Sequence, residues 1–205
     1  MYKQQYAFLY RRPRILNILH QFGLASPHSQ MTPEEQYCLG KYASGRKNAL
    51  EVGTYMGISA GIIATKLDKN GKLICVDPFE KKNGKLNPGY LMAQRVLKRK
   101  GVLSKTTFLL GYSTDAAIKM QIPKQLDFIY IDGDHSYEGL QNDWDIVLNT
   151  SVPGTIICLH DTTIPDPEPY RVFGSTHFFN DHISKDDRFE LLETCYSMNV
   201  LKRLV

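Results

Sequence analysis

The segment from Leu50 to Asp77 constrains the fold of this chain most strongly. An apolar run that begins at Leu50 leads into a turn with Gly53 and Gly57, and after a helical stretch a second apolar run closes at Asp77. This order builds a crevice at the carboxyl ends of parallel strands, where open α/β sheets bind small ligands. The glycines let backbone approach a ligand, and the helix N-terminus beyond them attracts anions. Asp77 follows the glycine turn at about the 20-residue spacing at which an acid accepts hydrogen bonds from ribose hydroxyls. The segment therefore predicts a ligand with a ribose and an anionic end.

Length and composition are those of one globular domain. The 205 residues suffice for a single core, and we expect one domain over 1–205, with an N-terminal arm over 1–31 and an α/β core over 32–205. No apolar run is long enough to cross a membrane, and the first residues lack the pattern of a secretory signal. The four cysteines form no CxxC pair, so a reducing, cytoplasmic location is the expectation.

The N-terminal arm is aromatic and basic, although the net charge of the whole chain is only +4. Its aromatic and basic side chains are Tyr2, Tyr6, Tyr10, Arg11, Arg12 and Arg14. No motif for DNA or RNA accompanies them, so we do not expect nucleic acid as a partner. We expect the arm to pack against the body or to join a second copy in a homo-oligomer.

Apolar runs alternate with helical patterns along the core. Seven runs are predicted as strands, at 49–53, 72–77, 106–110, 126–131, 155–159, 188–194 and 199–204. Helices are expected at 32–45, 58–67, 90–100, from 113 or 114 to before 123, and at 137–149, with a turn at Pro153–Gly154 before the fifth strand. The alternation predicts an α/β, Rossmann-like, doubly wound sheet that is mostly parallel and ends in an antiparallel hairpin.

Two common nucleotide motifs are missing from the glycine turn. No Gly-Lys-Ser/Thr follows Gly53, which excludes a P-loop. A dinucleotide fingerprint needs G-x-G-x-x-G, but Tyr55 and Ile58 stand where its later glycines belong. A nicotinamide oxidoreductase is therefore the weakest of the nucleotide-based hypotheses.

Acids and histidines follow the fourth and fifth predicted strands. They are Asp132, Asp134 and His135 after the first of these strands, and His160 and Asp161 after the second. Neighbouring parallel strands bring such ends to one edge, and ionisable groups beside apolar strands are costly unless they are paired or bound. Taken singly, Asp132 or Asp161 is equally well explained as a helix cap and His135 by a local hydrogen bond. As a set, the five residues predict a functional site.

At these residues the sequence resembles the class I S-adenosylmethionine-dependent methyltransferases, and most of all the catechol-type, metal-dependent O-methyltransferases and their small-molecule and sugar relatives. The family pattern Leu-Glu-x-Gly-x-x-x-Gly-x-Ser matches Leu50 to Ser59, the ribose-binding acid falls on Asp77, and Gly111-Tyr112-Ser113 matches the turn beside adenine. Ser113 also suits a helix cap. The resemblance covers about 32–162. It implies a cofactor-binding set of Glu51, Gly53, Thr54, Tyr55, Gly57, Ser59, Asp77, Ser113 and Asp132.

The resemblance also implies a divalent cation. Asp132 matches its first ligand, whereas His160 falls where the family has Asp and Asp161 where it has Asn. Imidazole in place of a carboxylate makes a pure magnesium site less certain, admits manganese, iron or zinc, and leaves open the loss of the metal. The usual lysine base falls on His135, and Asp134 is the competing base.

The expected function is metal-assisted transfer of a methyl group from S-adenosylmethionine to a hydroxyl of a small molecule, with magnesium or manganese as the cation. One alternative is a non-catalytic S-adenosylmethionine-binding module, which the His160 departure favours. Another is an iron oxygenase that uses His135, His160 and one carboxylate, although it leaves the glycine turn and Asp77 unexplained. A phenol, a sugar hydroxyl and a carboxylate all stay open as acceptors.

Overall fold

A seven-stranded sheet forms the centre of the molecule. The structure, a computed structural model, describes residues 12–22, 24–80, 87–165 and 172–205. The strands are β1 (Asn48–Val52), β2 (Lys72–Asp77), β3 (Thr106–Leu110), β4 (Leu126–Ile131), β5 (Ser151–Leu159), β6 (Phe189–Cys195) and β7 (Met198–Arg203). Their order is β3-β2-β1-β4-β5-β7-β6; the first five are parallel, and β7 is antiparallel to β5 and β6. The Rossmann-like, doubly wound fold with a terminal hairpin is confirmed.

Helices cover both faces of the sheet. They are α1 (Pro13–Gln21), α2 (Pro33–Ala43), α3 (Ile58–Lys66), α4 (Pro88–Arg99), α5 (Ala116–Lys119), α6 (Tyr137–Thr150) and α7 (Gly174–Asp181). Residues of α2, α3 and α4 pack with one face of the strands, and residues of α6 and α7 pack with the other. Every residue of β4 except Asp127 is buried, as expected for a strand covered on both sides. In the described part of the chain no helix is both long and apolar enough to cross a bilayer.

The end of the N-terminal arm forms a helix that the sequence did not predict. Leu16 on α1 is buried against Met92 and Val96 of α4, so this part of the arm packs on the body. Residues 1–11, which carry most of the aromatic and basic side chains of the arm, lie outside the described residues. Pairing through the arm stays a prediction.

The structure differs from the sequence prediction at the start of β5, at the N-cap of α5 and in one additional helix. β5 begins at Ser151, because Ser151 pairs with Leu126 and the strand continues through Pro153–Gly154 with a shift in register. Asp115, instead of Ser113 or Thr114, occupies the N-cap of α5. The helix α7 was not predicted. The predicted hairpin is present, and α2 starts with a capping box formed by Thr32 and Glu35.

Candidate active site

The glycine turn after β1 is shaped by close backbone packing. Gly53 has a φ of +86°, and a Cβ there would lie 2.0 Å from the carbonyl oxygen of Asp132 at the end of β4. Gly57 has a φ of +78°, and its Cβ would lie 2.7 Å from the Cα of Ala93 on α4. Only glycine fits either position without strain. The sequence predicted that these glycines make room for a ligand, whereas their close neighbours in the structure are protein backbone.

Asp77 holds this turn in place. Its Oδ2 accepts hydrogen bonds from the backbone N–H groups of Thr54, at 3.0 Å, and Tyr55, at 2.9 Å, while Oδ1 accepts from the N–H of Phe79 at 2.8 Å. A carboxylate oxygen can accept two hydrogen bonds, so Oδ1 retains capacity for a hydroxyl donor. The acid thus both orders the turn and faces the crevice beside it.

A cavity of about 820 Å³ opens at the carboxyl ends of the parallel strands. Its size lies within the range typical of small-molecule sites. Of the predicted site residues, its wall includes Gly53, Tyr55, Asp77, Ser113, Asp132 and Asp134. An adjoining cavity of about 170 Å³ is lined by Thr54, Ser59 and His135, and also by Gly53, Tyr55 and Asp132 of the larger cavity. The structure therefore gathers most of the predicted set around one crevice.

Glu51 and Gly57 contribute to neither cavity wall. Glu51 is fully buried beneath the turn, where its Oε2 accepts from the hydroxyl of Thr54 at 2.9 Å. Burial raises the pKa of this carboxyl to about 7. The roles of Glu51 and Gly57 as direct cofactor contacts stay predictions. In the structure Glu51 contacts the turn, and Gly57 lies against Ala93 of α4.

Asp143 is a cavity residue that the sequence reasoning missed. It lies on α6, is buried, lines the larger cavity and is hydrogen-bonded to Ser113, while its Oδ1 has no hydrogen-bond partner among the described residues. Burial raises its pKa to about 6. Helical spacing offered a signal, because Asp143 falls on the same stripe as the buried Leu140 and Val147.

The predicted acids and histidines do converge. His160 Nδ1 lies 3.0 Å from Asp132 Oδ1 and 3.6 Å from Asp161 Oδ2. His135 Nε2 lies 3.8 Å and 3.7 Å from the same two oxygens. Two imidazoles therefore lie close to the same pair of carboxylate oxygens, at the edge where β4 and β5 end.

A third carboxylate, which the sequence reasoning did not assign to the site, reaches His160 from α2. Glu35 Oε1 lies 3.6 Å from His160 Nε2 and accepts from the backbone N–H of Ser197 at 3.0 Å and from its hydroxyl at 2.6 Å. Burial alone would raise the pKa of Glu35, but contacts with His160, Ser197 and Thr32 outweigh it and lower the pKa to about 2. Glu35 is therefore a buried, ionised carboxylate.

The charge around His160 is strongly negative. Burial alone would lower its pKa, but Asp132, together with Glu35 and Asp161, raises it to about 11. In the described residues no three His, Cys, Asp or Glu side chains are already placed as a ligand shell for a metal ion. The donor chemistry nevertheless suits a cation, because nitrogens of His135 and His160 lie within 3.0–3.8 Å of carboxylate oxygens of Asp132 and Asp161.

Asp134 stands apart from this cluster. Its side chain is exposed at the wall of the larger cavity, and it accepts hydrogen bonds from the backbone N–H of Ser136 at 3.0 Å and from the Ser136 hydroxyl at 2.9 Å. Ser136 in turn caps α6. The carboxylate is thus fixed on the wall with access to a ligand, which suits a base.

Comparison with protein families identifies the chain. A model described as a methyltransferase domain matches residues 50–162, more than half of the chain. The chain belongs to this methyltransferase family. The predicted methyltransferase is thereby confirmed, and the oxygenase and nicotinamide hypotheses lose their basis. A comparison with curated protein sequences finds no significant match.

Solved methyltransferase structures share the fold. An O-methyltransferase from Bacillus cereus in complex with SAH has a TM-score of 0.67 and 21% identity, over 96% of this chain and 90% of that one. The O-methyltransferase TomG from Streptomyces achromogenes, involved in tomaymycin synthesis and in complex with SAM, has a TM-score of 0.66 and 17% identity, over 94% and 88%. At these identities the likeness concerns the fold.

Proposed function

We propose that this methyltransferase moves a methyl group from S-adenosylmethionine to a hydroxyl of a small molecule. One observation carries the proposal: a single cavity of about 820 Å³ runs from the glycine turn and Asp77 to the carboxylates of Asp132 and Asp134. A cofactor at one end and an acceptor at the other would meet inside it. The O-methyltransferases of the same fold that bind SAH or SAM support this assignment.

The cofactor would lie along the ends of β1, β2 and β3. Asp77 Oδ1 would accept from a ribose hydroxyl, since it carries only one hydrogen bond from the described residues. Ser113 would lie beside the adenine, and Thr54 and Ser59 on the wall of the smaller cavity would face the methionine end. Glu51 would act from below, by holding the Thr54 hydroxyl.

The acceptor would lie at the ends of β4 and β5. A divalent cation held by Asp132, His160 and Asp161 would supply Lewis-acid chemistry that lowers the pKa of the acceptor hydroxyl. Asp134 or His135 would remove the hydroxyl proton, and the rigid ends of two buried strands would hold the acceptor in line with the methyl group. Orientation by fixed groups accounts for much of the rate in such displacements.

A transfer assay tests this function. The purified chain is incubated with methyl-labelled S-adenosylmethionine, magnesium or manganese, and pools of phenols, sugars and carboxylic acids. The proposal predicts a labelled ether from at least one hydroxyl pool. Cofactor binding without transfer to any pool would instead favour a binding module, and a label found only in methyl esters would move the acceptor to a carboxylate.

A further inference from the structure

Asp143 is a buried acid of the larger cavity to which the proposed reaction gives no role. The residue is only 2% exposed, yet it contributes to the cavity wall. The Ser113 hydroxyl donates to its carboxyl, and Oδ1 has no hydrogen-bond partner among the described residues. A buried carboxylate is costly unless hydrogen bonds satisfy it, and its two oxygens together offer about four acceptor positions. The carboxyl therefore has unused capacity to accept hydrogen bonds, at the wall of a cavity that holds a ligand.

The position of this carboxyl decides which part of a ligand it meets. Ser113 lies in the loop after β3, and Gly133 lies in the loop after β4. A Cβ at Gly133 would lie 3.1 Å from Oδ2 of Asp143, so the carboxyl of Asp143 lies beside both loops. The ends of β1 and β2 would hold the methionine part and the ribose of the methyl donor. The base, which extends beyond the ribose, would then lie at the loop after β3, next to Asp143.

We infer that Asp143 is a specificity-determining residue that accepts a hydrogen bond from the exocyclic amino group of the adenine base. The inference rests on the proposed binding of S-adenosylmethionine, and it gives α6 a part in selecting the base. Ser113 holds the carboxyl in place through its hydroxyl. Gly133 leaves the space that the carboxyl occupies, because a Cβ there would crowd Oδ2.

The charge of the carboxyl determines which purine base it accepts. Burial raises the pKa of Asp143 to about 6, although the Ser113 hydroxyl lowers it. The charged groups that act on this pKa are Asp134, which raises it, and Lys119, which lowers it. At pH 7.5 the carboxyl is therefore ionised, and an ionised carboxylate only accepts hydrogen bonds.

Adenine and hypoxanthine differ at the group that would meet this carboxylate. Adenine carries an amino group, which donates hydrogen bonds, where hypoxanthine carries a carbonyl oxygen, which accepts them. With hypoxanthine in the site, two acceptors would face each other and neither would have a donor. An interface of this kind selects its ligand partly by penalising the wrong one, so the carboxylate should favour adenine.

Two nucleosides that differ only at this group test the inference. S-adenosylhomocysteine and S-inosylhomocysteine, in which an oxygen replaces the amino group, are titrated separately into the full chain by calorimetry at pH 7.5. We expect the wild type to bind the adenosine compound about 10–100-fold more tightly, which corresponds to the loss of a hydrogen bond to a charged group.

Asp143→Asn is the variant to compare with the wild type. The amide has nearly the shape of the carboxylate, but it offers both an acceptor oxygen and a donor NH₂ group, so it can pair with either base. The preference for the adenosine compound should therefore fall below about threefold. Asp145→Asn is the matched control, because it removes the same charge from an exposed position on the same helix. This control should keep the wild-type preference, whereas a merely structural role of Asp143 would weaken both compounds equally.

Three results would overturn the inference. Equal binding of the two compounds to the wild type would do so without any variant. An unchanged preference in Asp143→Asn, shown by circular dichroism to be folded, would do so as well. Both results leave the proposed function standing, because S-adenosylhomocysteine still binds. Binding of neither compound to folded wild-type protein would instead refute the proposed methyl donor, and this inference with it.

Discussion

The two halves of the crevice differ in how their polar groups are paired. At the ends of β1 and β2, backbone groups pair with the polar groups of the turn. Asp77 accepts hydrogen bonds from three backbone N–H groups, and the N–H of Gly53 donates to the carbonyl oxygen of Val76 at 2.9 Å. At the ends of β4 and β5, the ring nitrogens of His160 lie 3.0–3.6 Å from the carboxylates of Asp132, Asp161 and Glu35. The first half is shaped in advance by backbone packing. The second is built from charged side chains that lie close to one another.

The largest expected effect concerns the half of the crevice at the ends of β1 and β2, which we call the packed half. Gly53→Ala should lower the free energy of unfolding by about 3 kcal/mol or more, because its Cβ would overlap the backbone of Asp132 and force the ends of β1 and β4 apart. Urea denaturation measures this. The matched control is Gly45→Ala. Gly45 also has a positive φ, but no atom of the described residues lies within 4 Å of the added Cβ, so the change should cost about 1 kcal/mol. Equal losses would contradict the packing argument.

Glu51→Gln tests whether the turn rests on a neutral acid. The pKa of Glu51 is raised from 4.5 to about 7, so the native state holds a proton that the unfolded chain releases. Wild-type stability therefore falls as the pH rises from 4.5 to 7, and the glutamine variant lacks this fall. Between pH 5 and pH 8 the difference between the two proteins should shift by about 2–3 kcal/mol in favour of the variant. Parallel pH profiles would show that Glu51 is ionised.

Much of the packed half was predictable, because its signals are local. Gly53, Gly57 and Asp77 each stand at a strand end that the apolar pattern marks, and the capping box at Thr32 and Glu35 spans only four residues. Local signals also failed where pairing was stronger. The pair Pro153–Gly154 predicts a turn, but the pairing of β4 with β5 extends the strand through these two residues.

The half of the crevice at the ends of β4 and β5, which we call the charged half, was predictable only in part. The ends of β4 and β5 follow from the parallel sheet, so the meeting of Asp132 with His160 and Asp161 could be foreseen. The approach of Glu35 could not, because it depends on how α2 packs against β5 and on the turn at Ser197. Asp143 was missed for a similar reason, since its burial depends on how α6 packs on the sheet.

A smaller effect, on the rate of methyl transfer, is expected for Asp134 as the proposed base. Asp134→Asn should lower kcat by about 100-fold, because the amide cannot take the hydroxyl proton. Steady-state methyl transfer measures this. Ser136→Ala is the matched control: it removes the hydroxyl that donates to Asp134 and leaves the carboxylate in place, so its loss of activity should be much less. If Asp134→Asn retains wild-type activity, proton removal belongs to another group, and His135 becomes the first candidate.

The smallest effect concerns the support of Asp132. Tyr130→Phe removes one hydroxyl that donates to Asp132 Oδ2, and it should lower the free energy of unfolding by about 1 kcal/mol. Tyr42→Phe, whose hydroxyl donates to Glu193 at the surface, should change it by less than about 0.5 kcal/mol. Thermal denaturation compares the two variants. An effect at Tyr130 no larger than at Tyr42 would mean that the buried hydroxyl does not hold the carboxylate.

The most direct test of the account is calorimetric titration of S-adenosylhomocysteine into the purified chain, with and without Mn²⁺, and with Asp77→Ala beside the wild type. We predict binding in the micromolar range that Asp77→Ala weakens by at least about tenfold, corresponding to the loss of a charged hydrogen bond. Circular dichroism checks that the variant is folded. No heat from folded wild-type protein, with or without the metal, would contradict the assignment of the crevice to the methyl donor.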